Sequence, residues 1–175
     1  MSISTLLGVA SASEPAQANV ESNGIVGEWI WSSTIYEAGE DGAEAILSRC
    51  AANGITDVYI LIKGTKGNLA YLNTEYKNLS YTDRDVLQEA IDAGHAHGIR
   101  VHAWICNTED ANYRAAHPKA GMYHYNTGYS SNRINLYDEG YLEYMQNVVR
   151  ELAAYDIDGL HLDYLRYNQD RKSVV

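Results

Sequence analysis

The feature that most constrains the fold is a strand-then-helix order that recurs along the chain. Apolar segments rich in β-forming residues predict four strands, at residues 24–31, 57–63, 100–106 and 159–163. Apolar residues at helical spacing predict three intervening helices, at residues 41–54, 82–98 and 138–152. Strands that alternate with helices predict an α/β protein with a parallel sheet.

Two architectures fit this order, an open doubly wound sheet and a closed (β/α)8 barrel of the TIM type. No Gly-x-Gly-x-x-Gly turn follows the first strand, which argues against a dinucleotide-binding sheet. A whole barrel needs roughly 250 residues, whereas this chain has 175. We therefore predict a partial barrel of about the first four βα units over residues 24–168, with residues 169–175 as a truncated end.

The first 23 residues differ in composition from the rest. They are rich in Ser and Ala, and Ala16-Gln17-Ala18 has the small-x-small form of a signal-peptidase site. The first basic residue is Arg49, so the segment lacks the basic start of a complete signal. We interpret residues 1–23 as a disordered tail or signal remnant and expect an extracellular or cell-envelope protein.

Charge and composition limit the partners. The net charge is −10 without a basic stripe, which argues against a nucleic-acid partner. No apolar run reaches the ~18 residues of a membrane span. The 15 tyrosines offer flat faces with a polar tip, which suit contacts with sugars. The two cysteines, Cys50 and Cys106, establish no disulfide framework, and neither a cofactor nor a bound metal is predicted.

The last predicted strand ends in a carboxylate. Strand alternation places His161 and Asp163 on one face, near the carboxyl end, where the active sites of α/β barrels lie. Asp163 is the candidate catalytic residue and His161 a candidate substrate ligand. Arg166 could turn back to keep Asp163 ionised. The simpler alternatives are that Asp163 caps a turn or pairs with Arg166 structurally, and that His161 is a core histidine.

The neighbouring strands supply further candidates. On the third strand, alternation points His102 and Trp104 to the barrel interior. There His102 could donate a hydrogen bond and Trp104 could offer a platform for a sugar ring. Lys63 closes the second strand on its inner side, where a charge could position a hydroxyl or carboxylate. Asn135 lies where the long irregular segment 107–137 meets the last helix, and could reach the site or serve as a turn residue. That helix is predicted to be capped by Asp138, with Leu142, Met145, Val149 and Leu152 on its inner face.

Three motifs resemble one family. They are VYILIKGTKGNLAY at the second strand, EAIDAGHAHGIRVHAWICN at the third, and INLYDEGYLEYMQNVVRELAAYDIDGLHLDYLRY at the fourth. Together they are similar to the bacterial family 10 glycosylhydrolase-like proteins, with wider kinship to amylase-type barrels. The resemblance implies a TIM barrel that cleaves glycosidic bonds in a polysaccharide or cell-wall glycan, with Asp163 as nucleophile and the general acid on a later strand. Tyr164 and Arg166, in the His-Leu-Asp-Tyr-x-Arg motif, are candidate substrate ligands.

Two other functions remain open at this point. His102, His161 and Asp163 could converge on a divalent metal, which would give a metal-dependent hydrolase or deacetylase. Alternatively, the chain could be a non-catalytic glycan-binding fragment that holds sugar through Trp104 and loop tyrosines without turnover.

Overall fold

A computed structural model describes residues 24–123 and 130–166 of the chain. The interpretations of residues 1–23 and 169–175 therefore concern segments outside the described residues. The strands are β1 (Gly27–Trp31), β2 (Asp57–Lys63), β3 (Arg100–Cys106), β4 (Gly121–Tyr123), β5 (Ser130–Ile134) and β6 (Gly159–Asp163). The helices are α1 (Ser32–Glu37), α2 (Gly42–Ala52), α3 (Val86–Ala96), α4 (Ala111–Ala116) and α5 (Glu139–Leu152), with a 3-10 turn at Pro118–Ala120.

Four strands form one parallel sheet in the order β1-β2-β3-β6. This confirms the predicted α/β class, and the bounds of β2, β3 and β6 are those predicted from the sequence. The segment 107–137, which showed no periodicity, contains α4, the 3-10 turn and an antiparallel hairpin of β4 and β5. Its elements are short, and bonds such as that from the Ala111 N–H to the Thr65 carbonyl tie them to distant segments, so they leave no long hydrophobic period.

One face of the sheet carries the hydrophobic core. Val101, Ala103 and Ile105 of β3 are completely buried on the side of the helices, as their alternation predicted. The approach of α3 to this face is close, because a Cβ atom at Gly94 would lie 2.4 Å from Val101 Cγ2. The other face, here called the open face, carries Trp29 and Trp31 of β1, which are 53% and 60% exposed.

Helix α5 begins where the sequence predicted, and of its four predicted inner residues Leu152 is buried and Met145 is partly buried against the core. Asp138 Oδ1 accepts a hydrogen bond from the Tyr141 N–H at 2.9 Å, which caps the helix. The buried residues are Tyr141, Tyr144, Val148 and Leu152. Leu142 and Val149, predicted to face inward, are 42% and 38% exposed. The tyrosines take the inner positions because they pack over a buried lysine, a polar requirement that hydrophobic periodicity does not reveal.

Candidate functional site

A cavity of about 730 Å³ lies at the carboxyl end of β6. Its volume is within the range of small-molecule sites. Three of its lining residues, Asp163, Tyr164 and Arg166, are among the predicted site residues. The remaining lining residues are Glu109, Arg133, Leu162 and Leu165.

Asp163 is held in a fixed orientation at this cavity. Its Oδ2 accepts a hydrogen bond from Trp104 Nε1 at 3.1 Å, and its Oδ1 accepts one from the Tyr164 N–H at 2.7 Å. The Asp163 carbonyl accepts a further bond from the Asn107 N–H at 2.8 Å, which ties the end of β6 to the segment after β3. Because both donors to the carboxylate are neutral, Asp163 has no cation among its direct hydrogen-bond partners described here.

Tyr164 adopts a backbone conformation that is uncommon for a residue with a side chain. Its φ is 54°, in the left-handed region. The Thr108 hydroxyl donates to the Tyr164 carbonyl, and the Arg133 guanidinium lies 5.9 Å from the centre of the Tyr164 ring. Residues held in this region cluster at functional sites. The residue in this conformation is the one whose N–H donates to Asp163 Oδ1.

A second carboxylate and a buried arginine complete the cavity. Arg133 is 6% exposed, and its Nη2 lies 3.0 Å from Glu109 Oε1. Arg133 Nη1 also donates to Thr108 Oγ1 at 3.1 Å and to the Arg166 carbonyl at 2.7 Å. The contact with Arg166 is through its backbone, and no ion pair between Arg166 and Asp163 occurs among residues 24–123 and 130–166. Arg166 is therefore not the ion-pair partner that the sequence predicted for Asp163. The buried cation of the cavity, Arg133, pairs with Glu109 instead.

His161 and Trp104 lie side by side on the open face, one layer below Asp163. The strand register pairs Trp104 with His161 and Cys106 with Asp163. Trp29 Nε1 donates to His161 Nε2 at 3.5 Å, and the Trp104 and His161 rings meet edge-on with centres 6.3 Å apart. Neither ring lines the cavity, so the structure brings Trp104 to Asp163 through a hydrogen bond and leaves His161 on the aromatic surface beneath it.

His102 lies at the opposite end of the strand. Its Nε2 is 2.7 Å from Asp57 Oδ1 and its ring stacks on Tyr59 at 4.8 Å. In the register it pairs with Gly159, where an added Cβ would come within 2.5 Å of His102 Nδ1. Gly159 precedes Asp163 by four residues on β6, which corresponds to about 13 Å along a strand. His102 is thus remote from the cavity, contrary to its predicted place at the site.

This separation also bears on the metal hypothesis. His102, His161 and Asp163 occupy three successive layers of the sheet instead of converging. Within the described part of the chain, no three His, Cys, Asp or Glu side chains are grouped as metal ligands. The geometry therefore gives no support to the proposed metal-dependent hydrolase.

Lys63 is completely buried and does not face a substrate space. Its Nζ lies 3.0 Å from Asp110 Oδ2 and donates to the Cys106 carbonyl at 3.1 Å. Burial lowers the pKa of Lys63, and Asp110 opposes that shift. The register shifts between Leu61 and Lys63, which breaks the alternation on which the predicted inner position depended. Lys63 instead supports the segment that follows β3.

Asn135 serves as a turn residue. Its Oδ1 accepts a hydrogen bond from the Tyr137 N–H at 3.1 Å, and its own N–H donates to the Ala120 carbonyl at 2.8 Å. These are the contacts of an Asx turn that leads into α5. The side chain does not line the cavity, in agreement with the simpler of the two interpretations of this residue.

Sequence reasoning missed Glu109 and Arg133. Glu109 comes three residues after β3 ends, and loops at the carboxyl ends of parallel strands form the sites of barrels. Arg133 belongs to the long segment 107–137, whose length alone marked it as functional. Both signals were present, but only the fold shows that these two side chains line the same cavity as Asp163.

Residues 30–174 match the family described as "Putative glycosyl hydrolase domain". The chain belongs to this family. No curated protein matches the sequence. None of the described helices is both long and apolar enough to cross a membrane.

Solved structures show a related fold. A hypothetical protein from Ruminiclostridium thermocellum ATCC 27405 matches with a TM-score of 0.66 and 14% identity, over 81% of this chain and 77% of that one. Alpha-L-fucosidase isoenzyme 2 from Paenibacillus thiaminolyticus matches with a TM-score of 0.58 and 19% identity, over 74% of this chain and 21% of that one. A putative alpha amylase from Salmonella typhimurium matches with a TM-score of 0.55 and 20% identity, over 84% and 27%.

These similarities establish the fold, an α/β arrangement with a parallel sheet of the kind found in TIM-barrel glycosidases. The chain spans about a quarter of the length of the two enzymes. The activity and substrate of a whole enzyme are therefore matters for proposal.

Proposed function

We propose that this chain is the nucleophile-bearing part of a glycoside hydrolase that acts on a polysaccharide or cell-wall glycan. The observation that carries the proposal is the position of Asp163, which ends a parallel strand and lines a cavity with its carboxylate fixed by two N–H donors. Membership of a family described as a glycosyl hydrolase domain supports the same reaction class.

Asp163 suits the role of nucleophile or charge stabiliser better than Glu109. A carboxylate that receives hydrogen bonds only from neutral groups keeps more of its electron density for a developing positive centre. Glu109 instead shares its charge with the Arg133 guanidinium at 3.0 Å. Of the two carboxylates in the cavity, Asp163 is therefore the one placed to face an oxocarbenium-like sugar.

The reaction requires a second carboxyl group. In the retaining form, an Asp163 oxygen bonds to the anomeric carbon while the glycosidic C–O bond breaks, and the leaving oxygen takes a proton from a general acid. Water then cleaves the glycosyl–Asp163 bond and returns a proton to that acid, now a base. We place this acid on a later strand of a (β/α)8 barrel of which the described sheet is one part.

The narrower assignments remain part of this proposal. The motifs at β2, β3 and β6 favour kinship with the family 10 glycosylhydrolase-like proteins. The small-x-small sequence Ala16-Gln17-Ala18 favours action outside the cytoplasm, at the cell envelope or beyond it.

The test is hydrolysis of a panel of aryl glycosides and polysaccharides by the natural full-length protein. We expect one class of substrate to be hydrolysed, and Asp163→Asn to lower that rate by at least about 10³-fold. The matched control is Asp41→Asn, an exposed aspartate whose side chain makes no cap bond at α2. Near-normal hydrolysis by Asp163→Asn would refute the role given to Asp163.

A glycan-binding role without turnover is the second candidate. It is favoured by Trp29 and Trp31, large aromatic side chains that are more than half exposed on the open face. It predicts that sugars bind to the natural protein and that no member of the panel is hydrolysed.

A further inference from the structure

We propose that Glu109 is a substrate-binding carboxylate that accepts hydrogen bonds from sugar hydroxyls beside Asp163. The inference rests on the proposed function and adds to it a residue that determines which sugars fit. Glu109 lines the same cavity as Asp163 but lies on the segment after β3, so the two carboxylates approach a ligand from different elements.

Arg133 holds the Glu109 side chain in place at the cavity. The guanidinium is 6% exposed and contacts Glu109 Oε1 at 3.0 Å. Its contacts with Thr108 Oγ1 and the Arg166 carbonyl hold the guanidinium from other sides. The ion pair keeps the Glu109 carboxylate next to the guanidinium. A carboxylate oxygen accepts hydrogen bonds from hydroxyl groups, so Glu109 held in this way suits sugar binding.

The backbone that carries Glu109 is anchored from below. Lys63 Nζ donates to the Glu109 carbonyl at 3.4 Å and to the Cys106 carbonyl at 3.1 Å. The adjacent Asp110 is 1% exposed, pairs with Lys63, and accepts the Tyr113 N–H at 2.8 Å. A rigid support keeps a binding group close to its working geometry. The buried lysine thus acts on the site through the position of Glu109.

The ligand class follows from the acceptor. An ionised carboxylate has about four lone-pair sites, and the ion pair with Arg133 is at Oε1. The acceptor sites that remain on the Glu109 carboxylate suit hydrogen bonds from two neighbouring hydroxyl groups of a sugar. We infer a neutral pyranose with two adjacent free hydroxyls, because a sugar carboxylate would be repelled by Glu109 and Asp163 together.

The test measures binding in a background that does not turn over. Calorimetry gives the Kd of a panel of neutral oligosaccharides and their methyl glycosides for the Asp163→Asn protein, and for that protein carrying Glu109→Gln. We expect Glu109→Gln to weaken the tightest ligand by about 10- to 100-fold, the range for a lost hydrogen bond to a charged group. Glu143→Gln, an exposed site on α5, is the matched control and should leave Kd unchanged.

A deoxy form of the tightest ligand should bind the two proteins almost equally, since it lacks the hydroxyl that Glu109 accepts. Glu109→Asp keeps the charge and should recover part of the affinity, which separates a binding role from a folding defect. Equal affinity of the parent sugar for both proteins, or no binding by any panel member, would overturn the inference. Binding that depends on Glu109 without hydrolysis by the natural protein would refute the proposed function alone.

Discussion

The amino end and the carboxyl end of the sheet each carry an aspartate that contacts a ring nitrogen on β3. At the amino end, Asp57 is 1% exposed and contacts His102 Nε2 at 2.7 Å and Arg100 Nη2 at 2.7 Å. Thr56 Oγ1 donates to the same carboxylate at 2.6 Å. At the carboxyl end, Asp163 receives two neutral N–H groups and borders a cavity.

The comparison assigns a role in stability to Asp57 and leaves Asp163 available for chemistry. The Arg100 hydrogen bonds, helped by Thr56 and His102 and opposed by burial, hold the pKa of Asp57 well below its usual range. Asp57 thus joins β2 to β3 with its acceptor capacity used within the protein. Asp163 keeps capacity that faces the cavity, so the same residue type can serve a ligand there.

The largest expected effect comes from the buried ion pair under the carboxyl end. Lys63→Met would leave the Asp110 carboxylate buried without its cation and lower the free energy of unfolding by about 3–5 kcal/mol. Urea denaturation followed by circular dichroism measures this loss. In the Lys63→Met protein, adding Asp110→Asn should lower the free energy of unfolding much less than Asp110→Asn does in the natural protein. The reason is that the substitution then also removes an unpaired buried charge. A Lys63→Met protein as stable as the natural one would show that the carboxyl end does not depend on this support.

The same substitution at the two ends gives the most direct comparison. Asp57→Asn should lower the free energy of unfolding by about 2–3 kcal/mol, since bonds to the charged Arg100 are weakened, and leave hydrolysis unchanged. Asp163→Asn should cost about 1 kcal/mol, because the amide oxygen still accepts one of the two N–H donors while the amide NH2 faces the other. Urea denaturation curves of both variants measure the two losses of unfolding free energy. If Asp163→Asn proves the more destabilising, Asp163 is a structural residue.

The amino end should make stability sensitive to acid. Burial raises the pKa of Asp158, but hydrogen bonds from His95 and the Val101 N–H outweigh burial and lower it, and the pKa of Asp57 is also lowered. A carboxyl with a lowered pKa in the folded state stabilises the protein above the unfolded pKa of about 3.9. This contribution is lost as the pH falls through the folded pKa, at up to about 1.4 kcal/mol per pH unit for each group. Unfolding free energies measured from pH 5 to pH 2 should fall, and Asp57→Asn should flatten the decline.

The smallest effect concerns the strained residue beside Asp163. Tyr164→Gly should be more stable than Tyr164→Ala by up to about 1 kcal/mol, because glycine adopts a positive φ without the steric cost of a Cβ atom. Tyr164→Ala keeps the strain and removes the ring near Arg133, so it serves as the control. Thermal unfolding of both variants measures the difference. A glycine variant less stable than the alanine variant would mean that the conformation costs little here.

Much of the framework was predictable from local pattern. The continuous apolar run of Asp57–Lys63 and the alternation in Arg100–Cys106 predicted two strands with their observed bounds. The Asp138 cap also appeared as predicted. The inner face of α5 was predicted in part, since Met145 and Leu152 pack against the core. Tyr141 and Tyr144 take buried positions around Lys63, which a hydrophobic count does not anticipate. Lys63 itself was misplaced by a register shift that no sequence period announces.

The sequence by itself determined that a carboxylate ends the last strand, because side-chain alternation and the position of Gly159–Asp163 after a helix are local properties. Only the tertiary structure decided what surrounds Asp163. It separated His102 from the carboxyl end by the length of a strand, and it brought Glu109 and Arg133 to the cavity from a segment without periodicity. The physical reason is that contacts between residues distant in the chain depend on strand register and loop closure, which local propensities do not encode.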